Sequence, residues 1–148
     1  IFTEENRTKM GLADNIAAIR GDSATHAQNI FIEFLLKHPE NSGVFPDYVG
    51  KTGAELKGQA KFKSHTKKVL DMLLDIVEHS GDAGQLKANA SKLVNMSQHV
   101  SLNAAQFQAL FNVLVPYLQG ALGGGCSAGD WRKAGVALVA QMRAAGMH

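Results

Sequence analysis

The sequence has few of the residues that cross-link small secreted domains or interrupt helices. Its 148 residues include one cysteine, so no disulfide can form within the chain. There are only three prolines, while 45% of the residues are hydrophobic, which is enough for one sizeable core. We therefore predict a single domain spanning residues 1–148. Residues 1–13 form an N-terminal extension in this interpretation, and the apolar pattern leaves the start of the first helix open.

A strong net charge and a long uninterrupted apolar run are also missing. The formal charge is only +2, and the densest basic stretch, Lys57 to Lys68, lacks the interleaved aromatic residues of a nucleic-acid surface. No Asp, Glu, Lys or Arg occurs between Lys92 and Asp130, but Asn and Gln side chains interrupt that stretch. It therefore favours a buried helix pair over a membrane span. We expect neither nucleic acid nor a membrane as a partner.

Strand-like alternation is nearly absent, and helical spacing of apolar residues dominates the chain. The pattern predicts an all-α fold of six long helices plus a few short ones. One long helix is expected from about residue 54 to residue 79. An earlier helix should end at His38, because the residue before Pro39 is disfavoured in helical conformation. Pro116 lies inside a later helix and predicts a kink or a shortened end.

Two histidines lie on predicted inner faces of helices. His65 is one turn before Val69 on the long helix, and His99 follows an apolar stripe that ends at Met96. A buried helical core rarely contains histidine unless the ring is hydrogen-bonded or functional. Two helices that each offer one inward imidazole can enclose a flat cofactor with an iron between the two nitrogens. A pair of hydrogen-bonded core histidines is the alternative.

Five landmarks in order extend this interpretation. Phe45 follows Pro39 by six residues, His65 follows Phe45 by twenty, Val69 lies one turn later, and His99 follows His65 by 34. Together they resemble the globin family. The resemblance implies a globin fold around a haem pocket. It also implies that His99 is the proximal ligand of the iron and that His65 is the distal histidine, which contacts the iron through the bound ligand.

Several short segments are similar to the small haemoglobins of marine annelids. They include Tyr48-Val49-Gly50-Lys51, Ala60-Lys61-Phe62 and Gln98-His99. That group includes a dehaloperoxidase haemoglobin, which binds dioxygen and also oxidises halogenated phenols with peroxide. Leu70 is a departure, at a position that helps to shape the distal pocket in the enzyme-like relatives.

The resemblance further implies haem b, iron protoporphyrin IX, as the cofactor. The expected cofactor contacts come from both sides of the pocket and from its edge: Phe31, Phe34, Phe45, Lys61, His65, Lys68, Val69, Met96, Gln98, His99 and Leu110. Of these, Lys61 and Lys68 are expected to pair with the haem propionates, with solvent exposure as the alternative for each.

The function implied is reversible binding of dioxygen, for transport or storage, at a five-coordinate iron. The alternative is a peroxidase that oxidises halogenated phenols, with His65 as its catalytic residue. Dedicated haem peroxidases pair the proximal histidine with a carboxylate, and no Asp or Glu occurs between Asp82 and Asp130. We therefore expect peroxidase turnover as a secondary activity. A six-coordinate sensor and a helical interaction module without haem are further alternatives.

The expected partners are small molecules: dioxygen and other diatomic ligands, and small phenols for the alternative activity. We expect a monomer or a homodimer. The first residues lack the basic-then-apolar order of a signal peptide. The cytoplasm of a blood or coelomic cell is therefore the predicted location, with an extracellular location as the alternative. Tyr48 and Tyr117 are expected to serve packing or a hydrogen bond rather than radical chemistry.

Overall fold

The described part of the chain is built from helices, without a strand. The structure, a computed structural model, describes residues 11–96, 99 and 102–148. Its α-helices are α1 (Leu12–Arg20), α2 (Ser23–Lys37), α3 (Gly53–Lys57), α4 (Ala60–Glu78), α5 (Ala83–Val94), α6 (Ala104–Leu122) and α7 (Ala128–Ala144). Short 3-10 helices cover Pro39–Val44, Pro46–Tyr48 and Gly123–Gly125. The predicted all-α fold of six long helices plus short ones is confirmed.

Helix ends in the structure follow the local chemistry of the sequence. The Asn103 side chain accepts a hydrogen bond from the Gln106 N–H (3.0 Å), and the Gln106 side chain accepts one from the Asn103 N–H (2.9 Å). This reciprocal pair satisfies two backbone donors that the first turn of α6 leaves unpaired. The Asp82 side chain likewise accepts from the Gln85 N–H (2.9 Å) at the start of α5. The C-terminal end of α2 is at Lys37, just before His38 and Pro39, as predicted from the proline.

The single long helix predicted from about residue 54 to residue 79 is wrong. The structure has two helices there, α3 and α4, separated by Gly58 and Gln59. Gly58 closes α3 with N–H bonds to the carbonyls of Ala54 and Glu55, and Gln59 has extended backbone (φ −88°, ψ 123°). Glycine is about 1 kcal/mol less favourable than alanine in a helix interior, so ending the helix at Gly58 loses little stability.

The prediction for the charge-free stretch also needs correction. The charge-free stretch between Lys92 and Asp130 contains one long helix, α6, and a glycine-rich connection rather than a helix pair. No described helix is long and apolar enough to cross a membrane. The first described helix, α1, begins at Leu12, where the Gly11 N–H donates to the Asp14 side chain (3.1 Å), and the sequence had left this start open.

Pro116 does not shorten its helix. The α6 helix continues for six residues beyond it, to Leu122. Proline removes the hydrogen bond to the carbonyl four residues earlier, which here belongs to Asn112. Both Pro116 and Asn112 are exposed, so water can hydrate the carbonyl that loses its partner.

The core lies between the six long helices, and it is closed by tight contact between α6 and α7. Helix α2 packs on α4 and α6, while α7 packs on α5 and α6. Gly135 of α7 faces the ring of Phe111 on α6 so closely that a Cβ added there would lie 2.6 Å from Phe111 Cδ1. Only a residue without a side chain allows the two helices to approach at this point.

One buried amide joins the two ends of the described chain. Asn15 of α1 is fully buried, and its Nδ2 donates to the Gly125 carbonyl (2.8 Å). Its Oδ1 accepts from the Ser127 N–H (2.8 Å) and from the Trp131 indole N–H (3.1 Å). Asn15 thus bonds two polar groups of the half-buried glycine-rich connection and the buried indole of Trp131. We call these contacts the Asn15 clasp.

Candidate functional site

A cavity bounded by α2, α4 and α6 contains both histidines singled out in the sequence. Most of its lining is apolar or aromatic, and His65 and His99 are its only titratable members among the described residues. The lining residues are Phe31, Phe34, Asn41, Phe45, His65, Val69, Met72, Leu73, His99, Leu102, Gln106, Phe107 and Leu110. An apolar cavity with few, well-positioned polar groups is the usual form of a site for a small molecule or cofactor.

The orientation of His99 is set by the end of α5. The last carbonyls of a helix have no partner within the helix. The Leu93 carbonyl lies in this last turn, where it accepts from the Met96 N–H (3.3 Å), and it also lies 2.8 Å from His99 Nδ1. Because a carbonyl oxygen only accepts, the proton of a neutral His99 ring is on Nδ1 and the lone pair is on Nε2. No described residue bonds to Nε2, and the Phe107 ring holds the imidazole edge-on at a centroid distance of 5.4 Å. His99 can therefore ligate a metal through Nε2.

His65 is held by aromatic rings on the opposite side. Its ring lies 5.7 Å from that of Phe31 and 6.0 Å from that of Phe45, measured between centroids. Burial, followed by the positive charge of Lys61, lowers the pKa of His65 below its usual value of 6.5. The imidazole is therefore neutral near pH 7, with one nitrogen that donates a hydrogen bond and one that accepts.

A second, smaller core below the irregular segment after α2 positions these rings. It consists of Phe31, Tyr48, Leu56 and Phe62, and Phe45 packs against it. Tyr48 meets the Phe62 ring edge-on at a centroid distance of 5.0 Å and stacks on His65 at 6.0 Å. The Tyr48 Oη atom is 3.1 Å from His65 Nδ1, so the hydrogen bond expected for this tyrosine is to the candidate distal histidine.

The structure brings seven of the predicted cofactor contacts together around the cavity. They are Phe31, Phe34, Phe45, His65, Val69, His99 and Leu110. Met96 is partly buried against the main core and does not line the cavity. Gln98 lies outside the described residues.

The two lysines and Leu70 also lie away from the cavity lining. Lys61 forms an ion pair with Asp47, and Lys68 is exposed. Leu70 is buried in the main core instead of the cavity wall, so in this chain its side chain does not shape the pocket directly.

Sequence reasoning missed part of the lining. Phe107 could have been found, because it lies three residues before Leu110 and so shares a helical face with it. Gln106 and Asn41 were not predicted, and their side-chain amides meet at 3.3 Å beside the cavity. That contact joins α6 to the irregular segment after α2, and no sequence spacing indicates it.

The few metal-ligating side chains of the cavity fit a metal whose other ligands come from a cofactor and not from the protein. Among the described residues, no group of three or more His, Cys, Asp or Glu side chains could hold a metal ion. The cavity instead offers one free imidazole nitrogen on His99, a second neutral imidazole on His65, and apolar walls. Haem supplies four nitrogen ligands to its iron and needs one axial imidazole and an apolar pocket, so the residues present fit this group.

Comparison with known proteins agrees with this geometry. A model of the globin family matches residues 28–142. The chain belongs to the globin family. It is 27% identical to a globin of Nerita albicilla over 128 residues, which cover 85% of this chain and 80% of the relative. It is 28% identical to Globin CTT-VIIB-7 of Chironomus thummi piger over 109 residues, or 71% and 67% of the two chains.

Solved globins share the fold at low identity. Ferric Aplysia limacina myoglobin matches with a TM-score of 0.79 at 16% identity, covering 99% of each chain. Family membership implies a haem cofactor and haem-based oxygen binding in general. These relatives, from Nerita, Chironomus and Aplysia, support the family and do not test the narrower resemblance to marine annelid haemoglobins.

Proposed function

We propose that this globin binds dioxygen reversibly, for transport or storage, at haem b held by His99. The observation that carries the proposal is the 2.8 Å hydrogen bond from His99 Nδ1 to the Leu93 carbonyl, which leaves Nε2 free in an apolar cavity. When haem is bound, its iron supplies an open coordination position for a diatomic gas. His99 is the axial ligand in this proposal, and His65 is the distal residue.

The bond to Leu93 determines what His99 contributes. It fixes the tautomer and the plane of the ring, so Nε2 needs no reorientation to act as a ligand. A backbone carbonyl is a neutral acceptor and withdraws less of the Nδ1 proton than a carboxylate does. The axial imidazole is thus less electron-rich than in a dedicated haem peroxidase, which favours reversible ligand binding.

His65 contributes a hydrogen-bond donor inside an otherwise apolar pocket. Its lowered pKa keeps the ring neutral near pH 7, so it can donate from one nitrogen without bringing a full charge into the cavity. Phe31, Phe45 and Val69 cover the surrounding wall and exclude water. A polar ligand such as dioxygen is stabilised by the donor, while carbon monoxide, which is less polar in such complexes, gains much less.

Replacing His65 with leucine tests this role. The lost hydrogen bond, of about 1.5–3 kcal/mol, should lower dioxygen affinity by on the order of ten- to a hundredfold. The change should appear mainly as faster dioxygen release, because the bond exists only after the ligand has entered. Carbon monoxide affinity should stay constant or rise. Stopped-flow measurement of both gases checks the prediction.

The matched control is His79→Leu, which removes an exposed histidine from the C-terminal end of the same helix. It should leave both gases unchanged. If dioxygen and carbon monoxide affinities fall together in His65→Leu, or dioxygen release keeps its rate, His65 is not the distal donor. A ferrous protein whose absorption spectrum shows six-coordinate iron without added gas would favour the sensor alternative.

Peroxidase activity is the second candidate, and the neutral His65 imidazole favours it in those molecules whose Nε2 is unprotonated, because that nitrogen can take a proton from peroxide. The resemblance to marine annelid haemoglobins points to halogenated phenols as the substrates. Since the described partner of His99 Nδ1 is a carbonyl and not a carboxylate, we expect modest turnover. Loss of a trihalophenol with peroxide, measured beside a carrier globin, checks this. A rate equal to that of dedicated haem peroxidases would show that peroxidase activity is the main function and dioxygen binding the secondary one.

A further inference from the structure

Tyr48 is packed so that its hydroxyl has one partner among the described residues, the imidazole of His65. The side chain is buried, with 6% of its surface exposed, between the Phe62 edge and the stacked rings of Phe45 and His65. Its Oη is 3.1 Å from His65 Nδ1. Tyr48 itself does not line the cavity, whereas His65 does. The Nδ1 edge of the imidazole therefore faces Tyr48, and the Nε2 edge faces away from it.

The direction of this hydrogen bond follows from what each group needs. A buried phenol must donate its proton to an acceptor, and His65 Nδ1 is the only one that a described residue offers to Oη. Burial raises the pKa of Tyr48, so the phenol keeps that proton near pH 7. If His65 donated instead, the phenol proton would have no partner in a buried position. The arrangement that satisfies both groups has Tyr48 donating and His65 accepting at Nδ1.

We propose that Tyr48 is a positioning residue that fixes His65 as the Nε2–H tautomer, with this N–H directed into the cavity. The tautomer follows from the Tyr48–His65 contact alone, whereas its effect on dioxygen rests on the proposed function. The hydroxyl of Tyr48 also holds the ring against rotation. Without it, the Nδ1–H tautomer and rotated rings compete, and the fraction of molecules with a donor facing the ligand falls.

The test uses the haem-loaded full chain in its diamagnetic carbon monoxide form and compares Tyr48→Phe with Tyr117→Phe. Tyr117 is a matched control, because its hydroxyl also bonds a histidine, at 2.7 Å from His26 Nδ1, but away from the cavity. Nitrogen-15 NMR of the imidazoles reports which nitrogen of His65 carries the proton. The C–O infrared stretch reports the donor that faces the ligand.

In the unmodified protein we expect a protonated Nε2 and an unprotonated Nδ1 on His65. Tyr48→Phe should shift both nitrogens toward averaged values, raise the C–O stretching frequency and speed dioxygen release by about two- to tenfold, the loss expected for one neutral hydrogen bond. Tyr117→Phe should change none of the three.

A protonated Nδ1 in the unmodified protein would overturn the proposal without any variant being needed. Unchanged nitrogen shifts and an unchanged C–O stretch in Tyr48→Phe would overturn it as well. If the chain takes up no haem or binds no gas, the proposed function fails, and the nitrogen shifts of His65 still decide the tautomer. If gas binds normally and the tautomer is wrong, only the role of Tyr48 fails.

Discussion

At the scale of single residues, the two imidazoles of the cavity adopt different tautomers, because one is bonded to a hydrogen-bond acceptor and the other to a hydrogen-bond donor. His99 meets a carbonyl at Nδ1 and must donate, so its Nε2 has a free lone pair. His65 meets a phenol at Nδ1 and accepts, so its Nε2 has the proton. In the proposed function the same type of side chain thus serves once as a metal ligand and once as a hydrogen-bond donor, and neither role needs a charged neighbour among the described residues of the cavity.

Removing the His99 ring should release the cofactor. In His99→Ala the axial ligand is lost and the core keeps a void far larger than one side chain, so haem should be lost or loosely held and the chain strongly destabilised. The haem-to-protein ratio after gel filtration, with the absorption spectrum, measures this. His79→Ala is the control and should retain haem. Full occupancy with an unchanged spectrum in His99→Ala would show that another residue is the ligand.

The sequence predicts that His65 and His99 line the cavity, but it does not predict the hydrogen-bond partners that orient them. His65 can be identified because regular helical spacing of apolar residues places it on the inner face of α4. The predicted position of His99 on a helix face is wrong, because α5 ends at Val94 and His99 lies beyond it. The partners that set their tautomers cannot be found in this way. Leu93 acts through its backbone, which is the same for every residue type, and Tyr48 lies in an irregular segment whose path no periodicity describes.

At the scale of helices, the crossing of α6 and α7 depends on Gly135. In Gly135→Ala the added methyl group would lie 2.6 Å from the Phe111 ring, and overpacking of this kind costs roughly 1–3 kcal/mol. That exceeds the gain of roughly 0.5–1 kcal/mol that alanine brings to a helix interior. We expect a net loss of about 1–2 kcal/mol in the free energy of unfolding, measured by urea titration.

The control for that substitution is Gly120→Ala in α6, where an added Cβ meets nothing within 4 Å. Here only the helix preference should act, and stability should rise by a few tenths of a kcal/mol to about 1 kcal/mol. Equal stability of the two variants would mean that the α6 and α7 contact relaxes freely around the extra methyl group.

Helix boundaries were predictable where one side chain makes the cap. The side-chain oxygens of Asn103 and Gln106 accept hydrogen bonds from each other's backbone N–H groups, so this cap involves only four adjacent residues. The break between α3 and α4 was missed, because a single glycine inside an apolar helical pattern is often tolerated.

For the molecule as a whole, the Asn15 clasp is the polar contact that joins the beginning of the described chain to its last helix. Asn15→Leu keeps the number of side-chain heavy atoms and removes the hydrogen bonds of Asn15 to the Gly125 carbonyl, the Ser127 N–H and the Trp131 indole. The Trp131 side chain is fully buried, and a buried donor that loses its partner costs about 1–3 kcal/mol, so we expect a net loss of about 1–3 kcal/mol in the free energy of unfolding. The thermal midpoint of unfolding measures it.

The control for the clasp is Asn112→Leu, at an exposed position on α6. Surface substitutions of this kind change stability by no more than about 0.5 kcal/mol. If Asn15→Leu is as mild as Asn112→Leu, water must enter and replace the amide, and the clasp does not hold the two ends together.

The clasp also bears on the order in which the chain can fold during synthesis. Asn15 and its first acceptor, Gly125, are 110 positions apart in the sequence. At a synthesis rate of 5–20 residues per second, roughly 6 to 22 s pass between the two. Throughout that interval the amide of Asn15 lacks the groups that it finally bonds, although α1 can already pack on α2 and α4. In a ribosome-bound chain the Asn15 amide is therefore left to water until the start of α7 has emerged, and α1 lacks this polar attachment for those seconds.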